Sequence, residues 1–182
     1  YHRPPENDAK WTEFYRNSVD DYADRFAILG FDPMNDNILF VSATNGEDKA
    51  SIYEYDLARN AFGEKIFGLS DQDVEDAVFH PNYGSAGELV GFGYYTDSGR
   101  YERVFLNGEV QNLVGTLQAT FPDSDLFIGR QSRDGKAITF TTQNYNDPGT
   151  YYLLNENGLQ ELGRSRANLG PEKLFRQEYI SY

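Results

Sequence analysis

Apolar and polar residues alternate along this chain in short runs, and the runs recur three times at a spacing of roughly 50 residues, in the range of propeller-type repeats. Each copy begins with a turn: Phe31-Asp32-Pro33, Phe79-His80-Pro81 and Ser132-Arg133-Asp134-Gly135. A strand-like run follows, over 38–42, 89–94 and 138–142. After another turn, a second run rich in aromatic residues covers 52–56, 101–106 and 150–154. Alternation with period two puts one face of each run against a core and the other toward solvent. Repeats of this length cannot bury their apolar faces alone and must stack on neighbours. The pattern therefore predicts a mostly β chain, a partial β-propeller of about three four-stranded antiparallel blades. The blades are expected at about 26–69, 77–108 and 123–163.

Local turn chemistry agrees with that plan. Asn45-Gly46 suits a hairpin turn whose two central positions need positive φ. Asp97-Ser98-Gly99 marks a turn within the second repeat, and Asp147-Pro148-Gly149 offers proline and glycine where a turn favours them in the third. One segment has a different period. Val110, Leu113, Val114, Leu117 and Phe121 keep helical spacing up to Pro122, which predicts an inserted amphipathic helix near 109–121 packed on a blade, with partner binding as the alternative.

The flanks read differently. Residues 1–25 form a polar, proline-bearing tail and a short helix, the latter suggested by Trp11, Phe14, Tyr15, Val19, Tyr22, Ala23 and Phe26. The Asp and Tyr content of that stretch leaves irregular structure as the alternative, and its expected role is to cover an open edge of the sheets. Residues 164–182 read as a connector, with Pro171 heading a short helix.

Composition narrows the function classes. The 182 residues suffice for one domain with a sizeable core or two small ones. The 14 Tyr and 13 Phe favour pleated, half-buried surfaces. A formal net charge of −13 repels a phosphate backbone and argues against nucleic-acid binding. There is no cysteine, so disulfides, thiolate catalysis and Cys-based zinc sites are excluded. No apolar run is long enough to predict a membrane span. The chain opens on Tyr1 with no basic-plus-apolar leader, which reads as a piece of a longer protein and leaves a cytoplasmic or a periplasmic location open.

Catalytic constellations are missing from the pattern. Gly84-Ser85-Ala86-Gly87 has Tyr83 where the first glycine of a G-x-S-x-G elbow belongs, so a surface loop is expected. Gly91 and Gly93 are followed by Thr96 instead of a third glycine, so they suggest close backbone approach or a bulge rather than a dinucleotide site. Of the two histidines, His2 lies in the tail and His80 in a turn equivalent to Asp32, where a side chain bonded to nearby backbone is expected. The acidic run 71–76 lacks the spacing of a calcium loop and reads as a solvated linker. Carboxylate pairs such as Asp20-Asp21 and Glu75-Asp76 are assigned to no common cleft, and Trp11, Phe14 and Tyr15 read as a cover rather than a sugar platform. No catalytic residue, metal ligand or cofactor is assigned, and substrate-binding residues stay unknown.

Two stretches carry a family resemblance. Asn45-Gly46-Glu47-Asp48 through Tyr53-Glu54-Tyr55-Asp56-Leu57, and Ser132-Arg133-Asp134-Gly135-Lys136 through Asp147-Pro148-Gly149-Thr150-Tyr151-Tyr152-Leu153, resemble the non-catalytic β-propeller of the prolyl oligopeptidase family. Within it they are most similar to bacterial acylaminoacyl-peptidase and dipeptidyl-aminopeptidase-like members. The resemblance covers about 30–182, and Tyr179-Ile180-Ser181-Tyr182 looks like the junction before an α/β-hydrolase domain. It implies a serine peptidase whose Ser-Asp-His triad lies downstream, with the propeller capping the active site and admitting short peptides. Some members hold a peptide's free amino end with paired glutamates on a propeller helix; no adjacent Glu-Glu pair occurs here. A complete propeller of this kind needs about twice the three blades, which leaves open flanks and an expectation of self-association through them. The alternative to the peptidase portion is a stand-alone propeller-type module for protein interaction or ligand binding.

Overall fold

The computed structural model describes residues 1–4, 8–16, 25–175 and 180. Eleven strands and one α-helix are found among them, in a partial β-propeller-like arrangement of three successive antiparallel sheets. The first sheet has the order β1-β2-β3-β4, from β1 (Phe26–Asp32), β2 (Asn35–Ala43), β3 (Ser51–Asp56) and β4 (Ala61–Phe67). The second has the order β5-β6-β7, from β5 (Val74–Phe79), β6 (Leu89–Tyr95) and β7 (Tyr101–Phe105). The third runs β8-β9-β10-β11, from β8 (Asp125–Gln131), β9 (Ile138–Asn144), β10 (Asp147–Asn155) and β11 (Gly158–Arg164). Within each sheet, hydrogen-bonded neighbours are consecutive in sequence, which is a meander.

The middle sheet has three strands where four are predicted. After β7 the chain turns into α1 (Gly108–Thr120), because Asn107 caps it: its side chain accepts from the backbone N–H of Glu109 at 3.0 Å and of Val110 at 3.1 Å. Val110, Val114 and Leu117 of α1 are buried, so the 3.6-residue period is used as predicted. Replacing Asn107 by Ala is expected to cost about 1 kcal/mol, measured as a lower denaturant midpoint with an unchanged slope.

Two compact units divide the chain. One comprises Tyr1–Ala77 with Phe92–Tyr94, the other Val78–Gly91 with Tyr95–Tyr182. In the first unit, alternate residues Leu39, Val41 and Ala43 of β2 and Tyr53 and Tyr55 of β3 form a core that also takes in Phe14. The Tyr55 hydroxyl donates to the Phe14 carbonyl at 2.8 Å, and the Tyr15 ring stacks on Phe26 at 3.8 Å. The N-terminal stretch thus covers a face of the first sheet. Residues 11–16 do so without helix, and the remainder of the predicted helix, 17–24, lies outside the described residues.

In the second unit, one core gathers Val90, the α1 residues Val110, Val114 and Leu117, Leu126 of β8 and Phe140 of β9. Phe121 and Tyr152 pack on Phe140, at ring-centroid distances of 5.7 and 5.2 Å. Burial holds the Tyr152 phenol above its ordinary pKa, and the neighbouring Glu161 carboxylate adds to that.

Several local readings change. Asp147-Pro148-Gly149 is not the hairpin tip: Asn144 pairs with Asp147 across Tyr145-Asn146, and the Pro-Gly pair sits in a register shift at the start of β10. There the Asp147 carboxylate accepts from the Gly149 N–H at 3.1 Å and the Thr150 hydroxyl at 3.0 Å, which stabilises the bulge. Val74, Glu75 and Asp76, read as linker, open β5, in which Val74 and Ala77 are buried and the two acids are exposed. The short helix expected from Pro171 is one 3-10 turn, Pro171–Lys173.

Candidate functional site

The turns that open the three repeats are built alike. The Asp32 carboxylate accepts from the Met34 N–H at 2.8 Å, and the His80 Nδ1 accepts from the Asn82 N–H at 3.1 Å. Both are side chains capping the backbone two residues on, before and after a proline. His80 therefore carries its ring proton on Nε2 when neutral, and its Nδ1 lone pair is spent on the turn. In the third turn the Asp134 carboxylate accepts from the Ser132 hydroxyl at 2.6 Å and the Lys136 N–H at 3.1 Å, and these bonds hold its pKa below the usual carboxylate range.

The other candidates also take structural places. Ser85 ends a 3-10 turn, Tyr83–Ser85, instead of sitting on a strand-to-helix elbow. Gly91 lies in β6 where an added Cβ would stand 2.5 Å from the Val104 carbonyl oxygen, so close backbone approach explains it. Asp73 accepts from the Ala50 N–H at 2.8 Å, and the Arg25 guanidinium donates to Asp73 at 3.0 Å and Glu75 at 2.7 Å. His2 forms an isolated bridge with Thr12, and the exposed Trp11 ring lies under the Arg3 guanidinium at 5.4 Å. Asp20 and Asp21 lie outside the described residues. Among the described residues, no three His, Cys, Asp or Glu side chains are grouped to hold a metal ion, and no helix is long and apolar enough to cross a membrane.

Exposed ion pairs lower two carboxyl pKa values. The Glu47 carboxylate is lowered chiefly by the Lys65 ammonium, and that of Glu13 by Arg16 and then the Tyr1 hydroxyl. Since the folded pKa lies below the unfolded one, each contribution is present at neutral pH and fades as pH falls through the folded value. Melting temperatures should stay level near neutrality and drop once pH falls below about 4, as calorimetry across that range will report.

The feature that remains is an open depression of about 510 Å³ on the third sheet. Phe140 and Ile138 turn toward the core, so Thr139 and Thr141, alternate on β9, turn the other way. Cross-strand pairing sets Tyr151 beside Thr141, and Gly129, Leu162 and Arg164 complete the rim. Gly129 keeps the floor flat, since a Cβ there would sit 2.6 Å from the Thr139 hydroxyl. Toward β7 the same face is closed by the ring of Phe127, which pairs with Thr141 and stacks with Tyr101 at 5.5 Å. Arg103 lies over the Tyr101 ring at 4.4 Å and donates to the Leu126 carbonyl. Sequence patterning missed this surface, because Gly129 and Thr139 carry no motif and β8 and β11 were not delineated as strands.

Chemically, the depression offers threonine hydroxyls, the rings of Tyr151, Tyr152 and Phe140, a leucine and an arginine paired to Glu161 at 3.2 Å. That set can hold a surface by contact and hydrogen bonding; it assembles no nucleophile with a base. Compared with known proteins, the chain matches no family model and no curated protein.

Proposed function

We propose that this chain is the non-catalytic propeller portion of a serine peptidase of the prolyl oligopeptidase type, gating or helping to bind short peptides for an α/β-hydrolase domain that follows in the same polypeptide. The observation that carries the reading is the succession of three antiparallel meanders with aromatic-rich strands, without a nucleophile–base pair among the described candidates. Its support in sequence is the run from Asp147 to Leu153 and the turn at Ser132–Lys136. The peptidase's own hydrolase domain and short peptides are the partners, and the triad belongs to that domain. The junction read at 179–182 falls almost wholly outside the described residues.

Sequencing the coding frame past Tyr182 tests the proposal. A hydrolase domain bearing G-x-S-x-G is the expected result, and a stop codon directly after Tyr182 overturns it. The purified chain should leave short chromogenic peptides uncut, and turnover by this chain alone would equally overturn it.

A further inference from the structure

We propose that Asn45 is a self-modification site: its side-chain amide converts to a carboxylate through attack by the Gly46 backbone nitrogen, ahead of the other two Asn-Gly pairs of the chain, Asn107-Gly108 and Asn157-Gly158. The proposal is independent of the peptidase reading, since the reaction needs nothing but this chain and water.

The Gly46 nitrogen bonds to the Asn45 side-chain carbonyl carbon and gives up its proton, and ammonia leaves from that carbon. Water then opens the five-membered imide at either carbonyl, leaving an aspartyl or an isoaspartyl linkage at position 45. Glycine has no side chain to hinder the approach. The ring closes only where the asparagine amide is free to turn and the following N–H is free of a partner.

The other two pairs each fail one of these conditions. Asn107 spends its side-chain oxygen on the backbone N–H groups of Glu109 and Val110, at 3.0 and 3.1 Å, and turning toward Gly108 gives up both bonds. Gly158 opens β11 and pairs with Asn155, whose side chain also accepts from the Asn157 N–H at 2.8 Å, so its nitrogen is fixed by the ladder. Asn45 and Gly46 meet both conditions. They are the exposed middle of a turn closed by the Glu47 N–H on the Thr44 carbonyl at 2.8 Å, with φ of +45° and +81°. That closing bond leaves the Gly46 N–H out, and no partner holds it among the described residues. A Cβ on Gly46 would meet nothing within 4 Å, so the ring has room to form. The turn can also bear the product: β2 and β3 stay paired at Ala43 and Ser51, outside it, and Glu47 pairs with Lys65 of β4 at 2.5 Å, which sets an ammonium near the turn that gains negative charge.

Incubating the intact chain in mildly alkaline buffer, then mapping its peptides by fragment mass spectrometry, tests this. Asn45 should convert first, with release of one ammonia per site. Its rate should exceed that of Asn107 by about tenfold, since the two cap bonds must break before Asn107 can react. Asn157 should lag Asn45 as well. The decisive arm repeats the incubation in concentrated guanidinium chloride, which removes turn, cap and ladder together; there the three rates should draw level. A native chain in which Asn45 stays intact, or in which Asn107 or Asn157 converts as fast, overturns the proposal. So does a lead for Asn45 that persists undiminished in the unfolded chain, because the fold would then not be what selects it.

Discussion

Phe140→Ala is expected to destabilise the chain by about 3–5 kcal/mol, the largest loss of any single truncation in the second unit. The ring is 2% exposed and is shared by three elements: α1 through Val110, Val114 and Leu117, β8 through Leu126, and β10 through Tyr152. Truncation removes the stacking on Tyr152 and the edge contact with Phe121 together, and neighbours on a paired sheet cannot collapse far into the void. Urea unfolding followed by helix ellipticity is the measurement. A loss below 1 kcal/mol would mean that α1 does not rest on this core.

Gly91→Ala is the second large effect. The new methyl would stand 2.5 Å from the Val104 carbonyl oxygen and 3.3 Å from the Phe105 Cα, both backbone atoms of β7 that no side-chain rotation can move aside. The expected cost is about 3 kcal/mol, through forced separation of β6 from β7. The matched control is Gly115→Ala on the exposed face of α1, where a Cβ meets nothing within 4 Å. There the helix should gain up to about 1 kcal/mol. Thermal melts of the two variants should therefore move in opposite directions, although the substitution is the same.

The contrast between those glycines also marks what the chain's pattern can tell in advance. Strands with buried alternation, such as 52–56 and 138–142, were legible because their apolar faces point one way. β11 was not, because its side chains are nearly all exposed and leave no period to detect. β5 was hidden by its acids: Glu75 and Asp76 are exposed, and the buried Val74 and Ala77 stand three apart, which breaks the period of two that marks a strand. The hairpin tip of the third repeat was misplaced by three residues, because proline and glycine signal a bulge as readily as a turn. His80 and Asp32, by contrast, were readable as equivalents from their shared place before a proline. The depression on the third sheet was not legible at all, since two of the strands that line it, β8 and β11, carry no clear period.

The consecutive pairing of strands has a consequence for how the protein is made. No sheet waits for a distant segment: β4 completes the first one at Phe67, before any residue of the third sheet has left the ribosome. Loop closure is short at every step, so the meanders can mature in the order of translation. The third sheet is finished in the same way by β11, a solvent-facing edge that pairs with the strand made just before it.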